Sequence, residues 1–310
     1  MTQEVGALKI LVTGGGGFLG SHLCRRLCES GAEVHATSRG DRVREQVGPI
    51  WRKADLAELA TARRTVGAVK PDIIYHLAGS VGASADVGLV LPTYHSLLTS
   101  TVNLLVAATE AACGRVILSG SFTEPTPGNA DPNPSSPYAA AKWAASGYGR
   151  MFHSLFQAPV VILRPFMTYG PAQAPSKLIP SVIRSLVSGN APRISSGRRS
   201  ADWIYVSDVI DGFVAAATRP GIEGSTIDLG SGKLVSIREI VERLVAISRS
   251  DLVPHFGAVA DRPRENETLA DTAGAHSMLG WEATTPLETG LRRTFEWYRK
   301  AGAHQHVRAE

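Results

Sequence analysis

The stretch "ILVTGGGGFLGSHL", residues 10–23, joins an apolar, β-branched run to a helical pattern through four consecutive glycines. Gly14, Gly17 and Gly20 are spaced Gly-x-x-Gly-x-x-Gly. Glycine is needed where a turn takes φ > 0 and where backbone must come close to a pyrophosphate, which then rests on the helix N-terminus. A glycine triplet alone would also suit any tight strand-to-helix turn. Its place at the head of the chain, between a strand and a helix, points to dinucleotide binding.

The pattern continues outward from this turn. "LKILVT" (8–13) is followed by the helical "GSHLCRRLCES", which stops at Gly31, a good C′ residue. Then come "EVHATS" (33–38), "PIWRKA" (49–54), a helix around 57–68, "PDIIYHLAG" (71–79), a long helix near 87–111, "RVILSGS" (115–121), a helix from about 137, and "PVVILRPF" (159–166). Short apolar strands separated by helices form βαβ units and a parallel sheet buried on both faces. The fold class is therefore α/β, with a doubly wound parallel Rossmann sheet. The expected division is residues 1–166 for the dinucleotide-binding domain, with sheet contributions from around 203–230. Residues 167–310 would form a smaller substrate-binding lobe that closes over the C-terminal edge of the sheet. In this lobe helices at about 176–189, 207–218, 236–248 and 286–300 alternate with Gly/Pro-rich connections and brief strands such as "STIDLG".

Composition bounds the function. Over 310 residues, 44% are hydrophobic and 19% charged, as in an ordinary globular protein. The net charge of +4 suits an anionic small ligand. No block of like charges exceeds the pair or triplet scale, as in Arg25-Arg26, Arg63-Arg64 and Arg198-Arg199, so no nucleic-acid footprint is visible. The odd cysteine count of three argues against a disulfide framework. Cys24 and Cys28, four apart, read as buried helix residues rather than a metal or redox pair, and no metal is expected. Neither a leader pattern nor an apolar run long enough to span a membrane is apparent, so a cytoplasmic location is expected.

The end of the second strand bears on the cofactor. An acidic residue there would bind a ribose 2′-OH and repel a 2′-phosphate. Ser38-Arg39 supplies a hydroxyl and a cation instead, which favours NADP(H) over NAD. Asp55, in "ADLAEL", can accept from an adenine amino group, and "HLAG" ends the fourth strand with small residues that leave room for the cofactor.

In this order "TGGGGFLG", "ADL", "HLAG", "LSGS", "PSSPYAAAK" and "LRPFMTYGP" resemble the extended short-chain dehydrogenase/reductases, in the branch of nucleotide-sugar epimerases, dehydratases and ketoreductases. The resemblance continues through "DWIYVSDVIDGF", "STIDLGSG" and "LGWEATTPLETGL" and so spans nearly the whole chain. It implies a catalytic set of Ser121, Tyr138 and Lys142. For the cofactor it implies Gly14, Gly17, Phe18, Leu19, Gly20, Ser38, Arg39, Asp55, Leu56, Leu77, Ala78, Gly79, Ser119 and Pro165, besides Tyr138 and Lys142. For the substrate it implies Ser80, Thr123, Met167, Lys177, Arg199 and Arg262. Many such relatives dimerise through the helices near 87–111 and 137–155, so a homodimer is the default expectation.

Elementary chemistry gives the same meaning to Tyr138 and Lys142. Four apart on a helix, they share one face. A free phenol has a pKa of about 10, and a neighbouring ammonium lowers it toward the range useful for proton transfer. The lysine can also hold the nicotinamide ribose hydroxyls, while Ser121, read as closing the fifth strand, polarises a carbonyl.

Departures from the family pattern narrow the reaction. Dehydratases of this branch carry an acidic residue, often Asp-Glu, directly after the catalytic Ser/Thr; here Phe122-Thr123 follow Ser121, which argues against dehydration. The usual "VYG" gives way to Glu124-Pro125, the Asn of the long helix to Leu97, the Asn after "RPF" to Met167, and the Arg before "D-W-I" to Ala201. Lys177, Arg198 or Arg199, and Arg262 remain for a nucleotide's phosphates. The leading expectation is an NADPH-dependent ketoreductase acting on a nucleotide-activated 4-keto-6-deoxy sugar. The alternatives are a reductase of an aromatic or polyketide-type ketone, a nucleotide-sugar 4-epimerase, and a non-catalytic dinucleotide sensor.

Overall fold

In chain order the strands are β1 (Lys9–Thr13), β2 (Glu33–Ser38), β3 (Ile50–Lys53), β4 (Ile73–His76), β5 (Arg115–Ser119), β6 (Val160–Pro165), β7 (Met167–Tyr169), β8 (Arg193–Ile194), β9 (Ser200–Tyr205), β10 (Thr226–Leu229), β11 (Leu234–Ser236) and β12 (His255–Phe256). The computed structural model describes residues 5–43, 48–82, 84–125, 133–261 and 267–306. Seven strands form one sheet in the order β10-β6-β5-β4-β1-β2-β3, with every pairing parallel. Successive residues of a strand face opposite sides. Ile10, Leu11 and Val12 are nevertheless all fully buried, so both faces of the sheet are covered.

The chain divides into two compact units. The first contains Met1–Pro165, Ile210–Leu229 and Ala273–Trp281, and it holds the parallel sheet. Its helices include α1 (Phe18–Glu29), α2 (Leu59–Val69), α3 (Val90–Thr93), α4 (Ser100–Glu110) and α5 (Pro137–Phe156). Leu11, Ile74, Val116 and Leu118 from the strands pack with Ala62, Val66, Leu104, Leu105 and Phe152 from these helices. Helix α5 starts where the sequence says it should. Ser136 accepts the Ala139 N–H at 3.2 Å, Pro137 fills the first turn, and Gln157 ends the helix in the left-handed conformation.

The long helix expected near 87–111 is one continuous rod with a defect. A 3-10 turn (Val87–Leu89) leads into α3, a π-helical segment spans Tyr94–Thr99, and α4 follows. Taken as a whole, Val87–Glu110 is long and apolar enough to cross a membrane, which corrects the expectation that no such run exists. A core helix meets the same description, and Leu97, Leu104, Leu105, Ala107 and Ala108 are buried.

Only Thr226–Leu229 of the 203–230 region joins the parallel sheet. Ser200–Tyr205 instead lies in the second unit, which contains Phe166–Val209, Gly230–Thr272 and Glu282–Glu310. There β9 pairs with β7 in parallel and with β11 in antiparallel fashion, and β12 pairs with β8. Its helices are α6 (Leu178–Val187), the start of α7 (Val206–Thr218), α8 (Ile237–Ser248) and α10 (Leu287–His306); α9 (Thr272–Leu279) lies almost wholly in the first unit. Asp202, fully buried on β9, accepts from the N–H groups of Ser231, Gly232 and Ala270 and from the Ser231 hydroxyl.

The first unit has its own buried polar tie. Arg115 at the start of β5 is 8% exposed, and its Nη1 donates to the carbonyls of Ala216, Ala217 and Arg219 at the C-terminal end of α7. Nη2 pairs with the Glu223 carboxylate. A guanidinium thus takes up helix-terminal carbonyls that have no partner within the helix.

Candidate active site

The glycine turn has the shape its spacing implies. Gly14 sits at φ +70°, and a Cβ there would come 2.8 Å from Ala78 of the "HLAG" turn. A Cβ at Gly20 would run into the Gly14 carbonyl oxygen and Gly15. Gly17 is the N-cap of α1 and lends it no side-chain cap, so its first amides are left to an anion. Phe18 and Leu19 open that helix, and Leu56 is buried in the core. Asp55 is exposed and accepts the Ala57 N–H at 3.0 Å. The turn therefore fits the pyrophosphate of a dinucleotide, and Tyr138 and Lys142 stand past the C-terminal ends of the same strands, where a nicotinamide would lie.

A hydrogen-bonded histidine braces this turn. His76, at the end of β4, lies between the hydroxyls of Thr13 (2.7 Å to Nδ1) and Thr101 (2.9 Å to Nε2). Thr101 commits its own proton to the Leu97 carbonyl at 2.6 Å, so it must accept from Nε2–H, and Nδ1 then accepts from Thr13. The Thr13 oxygen is left to accept the Ala78 N–H at 3.3 Å. Burial, together with nearby Lys142, holds the His76 pKa down at about 3, in keeping with this neutral tautomer. Leu97, in the π-helical segment, packs on Gly79, where φ is +143° and any side chain would meet it. Ser80 N–H approaches the Ser96 hydroxyl at 3.4 Å.

At the far end of the sheet, Ser38 is half-buried and Arg39 exposed. Sequence reasoning missed Arg42. Its guanidinium lies 5.6 Å from the centre of the Trp51 ring, and a Cβ on Gly16 of the glycine turn would be 2.5 Å from Nη2. Lys53 pairs with Asp41 at 3.0 Å.

The structure brings Ser121, Tyr138 and Lys142 together. Ser121 is buried two residues past the end of β5 rather than closing it. Its hydroxyl lies 2.8 Å from the Thr123 hydroxyl, accepts the Thr123 N–H at 3.2 Å, and hydrogen-bonds Tyr138. Lys142 Nζ donates to the Ser119 carbonyl at 2.6 Å. Burial pulls the Lys142 pKa down to about 8, against the pull of Glu124 in the other direction. The Tyr138 phenol departs from the sequence expectation: burial pushes its pKa above the ordinary value, more than the Ser121 hydrogen bond lowers it, and Glu124 adds to the rise. The geometry is that of a neutral phenol, a proton donor, held against a serine hydroxyl.

Glu124 escaped the sequence reading, which noted only that it replaces a family residue. It is 6% exposed, and its Oε1 accepts the Ser121 N–H at 2.7 Å. Gly120 is glycine for this reason: a Cβ there would be 2.7 Å from Oε1 and 2.9 Å from Arg164 Cγ.

The remaining expected residues divide by unit. Leu77 and Ala78 are half-buried and Pro165 is buried, all in the first unit, whereas Met167 in β7, Lys177 at the N-cap of α6 and Arg199 just before β9 belong to the second. Arg262 lies outside the described residues. Cys24 is buried, which pushes its thiol up to about 12. Among the described residues no group of three or more His, Cys, Asp or Glu is placed to hold a metal ion.

Comparison with known proteins gives a family match and a set of relatives. Residues 10–230 match the NAD dependent epimerase/dehydratase family. The chain is 28% identical to a dTDP-glucose 4,6-dehydratase of Neisseria gonorrhoeae, over 96% of this chain and 97% of that one. It is 27% identical to a UDP-glucose 4-epimerase of Mycolicibacterium smegmatis, over 94% and 99% respectively. Among solved structures, a UDP-glucuronic acid 4-epimerase from Bacillus cereus, in complex with UDP-glucuronic acid and NAD, superposes with a TM-score of 0.84 at 26% identity, covering 94% of this chain and 99% of that chain.

Proposed function

Since the chain belongs to the NAD dependent epimerase/dehydratase family, we propose that it carries out oxidation–reduction at a sugar carbon of a nucleotide-linked substrate, with Tyr138 handling the proton. The observation that carries this is the cluster of Ser121, Tyr138 and Lys142 at the same C-terminal edge of the parallel sheet as the glycine turn. A bound nicotinamide dinucleotide supplies or takes the hydride. The chain's own part is to polarise a keto or hydroxyl oxygen with Ser121 and to exchange a proton at Tyr138 Oη. Lys142 offers an ammonium to the phenolate and to ribose hydroxyls.

The finer reading is reduction of a 4-keto-6-deoxy sugar with NADPH. Phe122 and Thr123 stand where elimination would need acids, and the Glu124 carboxylate is turned toward the Ser121 N–H. Exposed Arg39 after β2, and Arg42 packed against Gly16 and Trp51, are the cations that support NADPH in this reading. The second reading is a 4-epimerase that holds NAD and returns it unchanged. It is favoured by the two epimerase relatives, one of which is described with NAD. The deciding experiment measures Kd for NADPH and NADH and follows absorbance at 340 nm with 4-keto and 4-hydroxy nucleotide-sugars. Steady NADPH consumption with the keto sugar, abolished in Tyr138→Phe, supports the reductase. Tight NAD with interconversion of 4-epimers and no net consumption overturns it in favour of the epimerase.

A further inference from the structure

Tyr138, Lys142 and Ser146 lie at four-residue spacing on one face of α5, and Glu124 meets that face from the loop after β5. Its carboxylate receives the Ser121 N–H and hydrogen-bonds the Ser146 hydroxyl. Two cations face it: Lys142 from α5 and Arg164 from β6. Arg164 in turn donates from Nε to Asp228 on β10 at 2.7 Å. A carboxylate is costly to bury unless it is both hydrogen-bonded and paired. Here Ser121, Ser146, Lys142 and Arg164 all favour the charged form, while burial, the larger effect, still holds the carboxyl above its ordinary range.

We propose that Glu124 is a positioning residue, which fixes the Ser121 backbone through one oxygen and keeps the Lys142 side chain in its ammonium form beside Tyr138. The inference rests on the reading of Ser121, Tyr138 and Lys142 as the catalytic set. The physical case is a balance. Lys142 is 8% exposed and donates to a neutral carbonyl, that of Ser119, so burial alone favours the uncharged amine. Among the groups nearby, His76 on β4 is neutral, and Arg164 on β6 is the second cation beside Glu124. Asp228 is engaged by Arg164, and Tyr138 is held as the phenol. Glu124 is the opposing charge that acts on Lys142 in the protein as it stands. An apolar residue at this position would leave Lys142 without that opposing charge, so that less of it would stand as the ammonium beside the phenol at a given pH.

The test needs no sugar substrate, so its outcome is separate from that of the proposed reaction. Protein labelled with 13C at lysine Cε is titrated by NMR, with the Lys142 resonance identified by its loss in Lys142→Met. Wild type is expected to show a midpoint near 8. In Glu124→Gln, whose amide oxygen still accepts from Ser121, the midpoint is expected to fall by about one unit, as for removal of a close opposite charge. At pH 8 the charged fraction then drops from about one half to about one tenth. An unchanged or higher midpoint overturns the proposal. If Glu124→Gln does not fold, the reciprocal measurement decides, because coupling between two sites is mutual. The Glu124 carboxyl resonance must titrate at higher pH in Lys142→Met than in wild type, and equal midpoints refute the coupling.

Discussion

Replacing Arg115 by methionine should be among the most damaging single changes outside the catalytic cluster. The guanidinium holds three carbonyls at the end of α7 and the Glu223 carboxylate while being only 8% exposed. Hydrogen bonds from a charged donor contribute about 1.5–3 kcal/mol each when counted singly. These three share one donor group and one helix end, so they do not add. Breaking a buried ion pair by removing one partner costs about 3–5 kcal/mol. Glu223 is 29% exposed and can rehydrate, which argues for the lower half of that range. Methionine keeps most of the buried aliphatic stem. The expected loss is therefore about 4 kcal/mol. At about 2–4 °C per kcal/mol for a folding unit of roughly 150–250 residues, Tm falls by about 8–16 °C. Far-UV circular dichroism melts and urea midpoints at equal protein concentration read this directly. Glu223→Gln, which spares the three carbonyl contacts, should lose less than half as much. A Tm for Arg115→Met within about 2 °C of wild type would show that the carbonyls find other partners and that the tie is dispensable.

Two further outcomes follow from the site. Gly20→Ala places a Cβ against the Gly14 carbonyl and Gly15, so the turn must open by an amount worth about 1–3 kcal/mol. Dinucleotide affinity, measured by calorimetry, should fall by about five- to 150-fold, and a Kd within twofold of wild type contradicts the close-packed turn. The pH dependence has opposite signs for activity and stability. With Lys142 titrating at about 8 in the folded protein, the ammonium is lost as pH rises through that value, so turnover should decline above it. The same group has its folded pKa below the ordinary value of 10.5, so its burial costs stability below about pH 8, and the cost is relieved between about 8 and 10.5. A turnover profile flat from pH 7 to 10 would remove Lys142 from the proton-handling step.

What could be read from the chain follows from how local the determinants are. The period and composition of each βαβ unit lie within a dozen residues, so β2 falls at Glu33–Ser38 and α5 begins at Pro137 as the pattern says. The glycine turn and the Tyr138–Lys142 spacing are equally local. By contrast, Ser200–Tyr205 and Thr226–Leu229 look alike as short strands, and only pairing across the fold sends the first to the small sheet and the second to the large one. Met167–Tyr169 follows β6 after Phe166 alone, yet pairs with β9 instead. The π-helical segment at Tyr94–Thr99 leaves no mark in a pattern read at helical period. Glu124 and Arg42 were visible as letters. Their meaning depends on side chains from residues far along the chain: Arg164 for the first, Trp51 and the glycine turn for the second. The Tyr138 phenol shows the same limit, since a neighbouring lysine is local but the burial that outweighs it is not.

The nested order of the chain has a bearing on biosynthesis. The large sheet ends in β10, whose residues are translated only after Phe166–Val209 has been made, and the unit it completes needs Ala273–Trp281 as well. Until Thr226–Leu229 emerges from the ribosome, β6 offers the unpaired edge of "VVILRP", a run rich in β-branched residues and free of acidic charge. A nascent chain paused between residues 165 and 226 is thus in its most adhesive state. Chaperone demand and yield on expression will be set in that interval, and a gene cut back to its first 165 codons would make that state permanent.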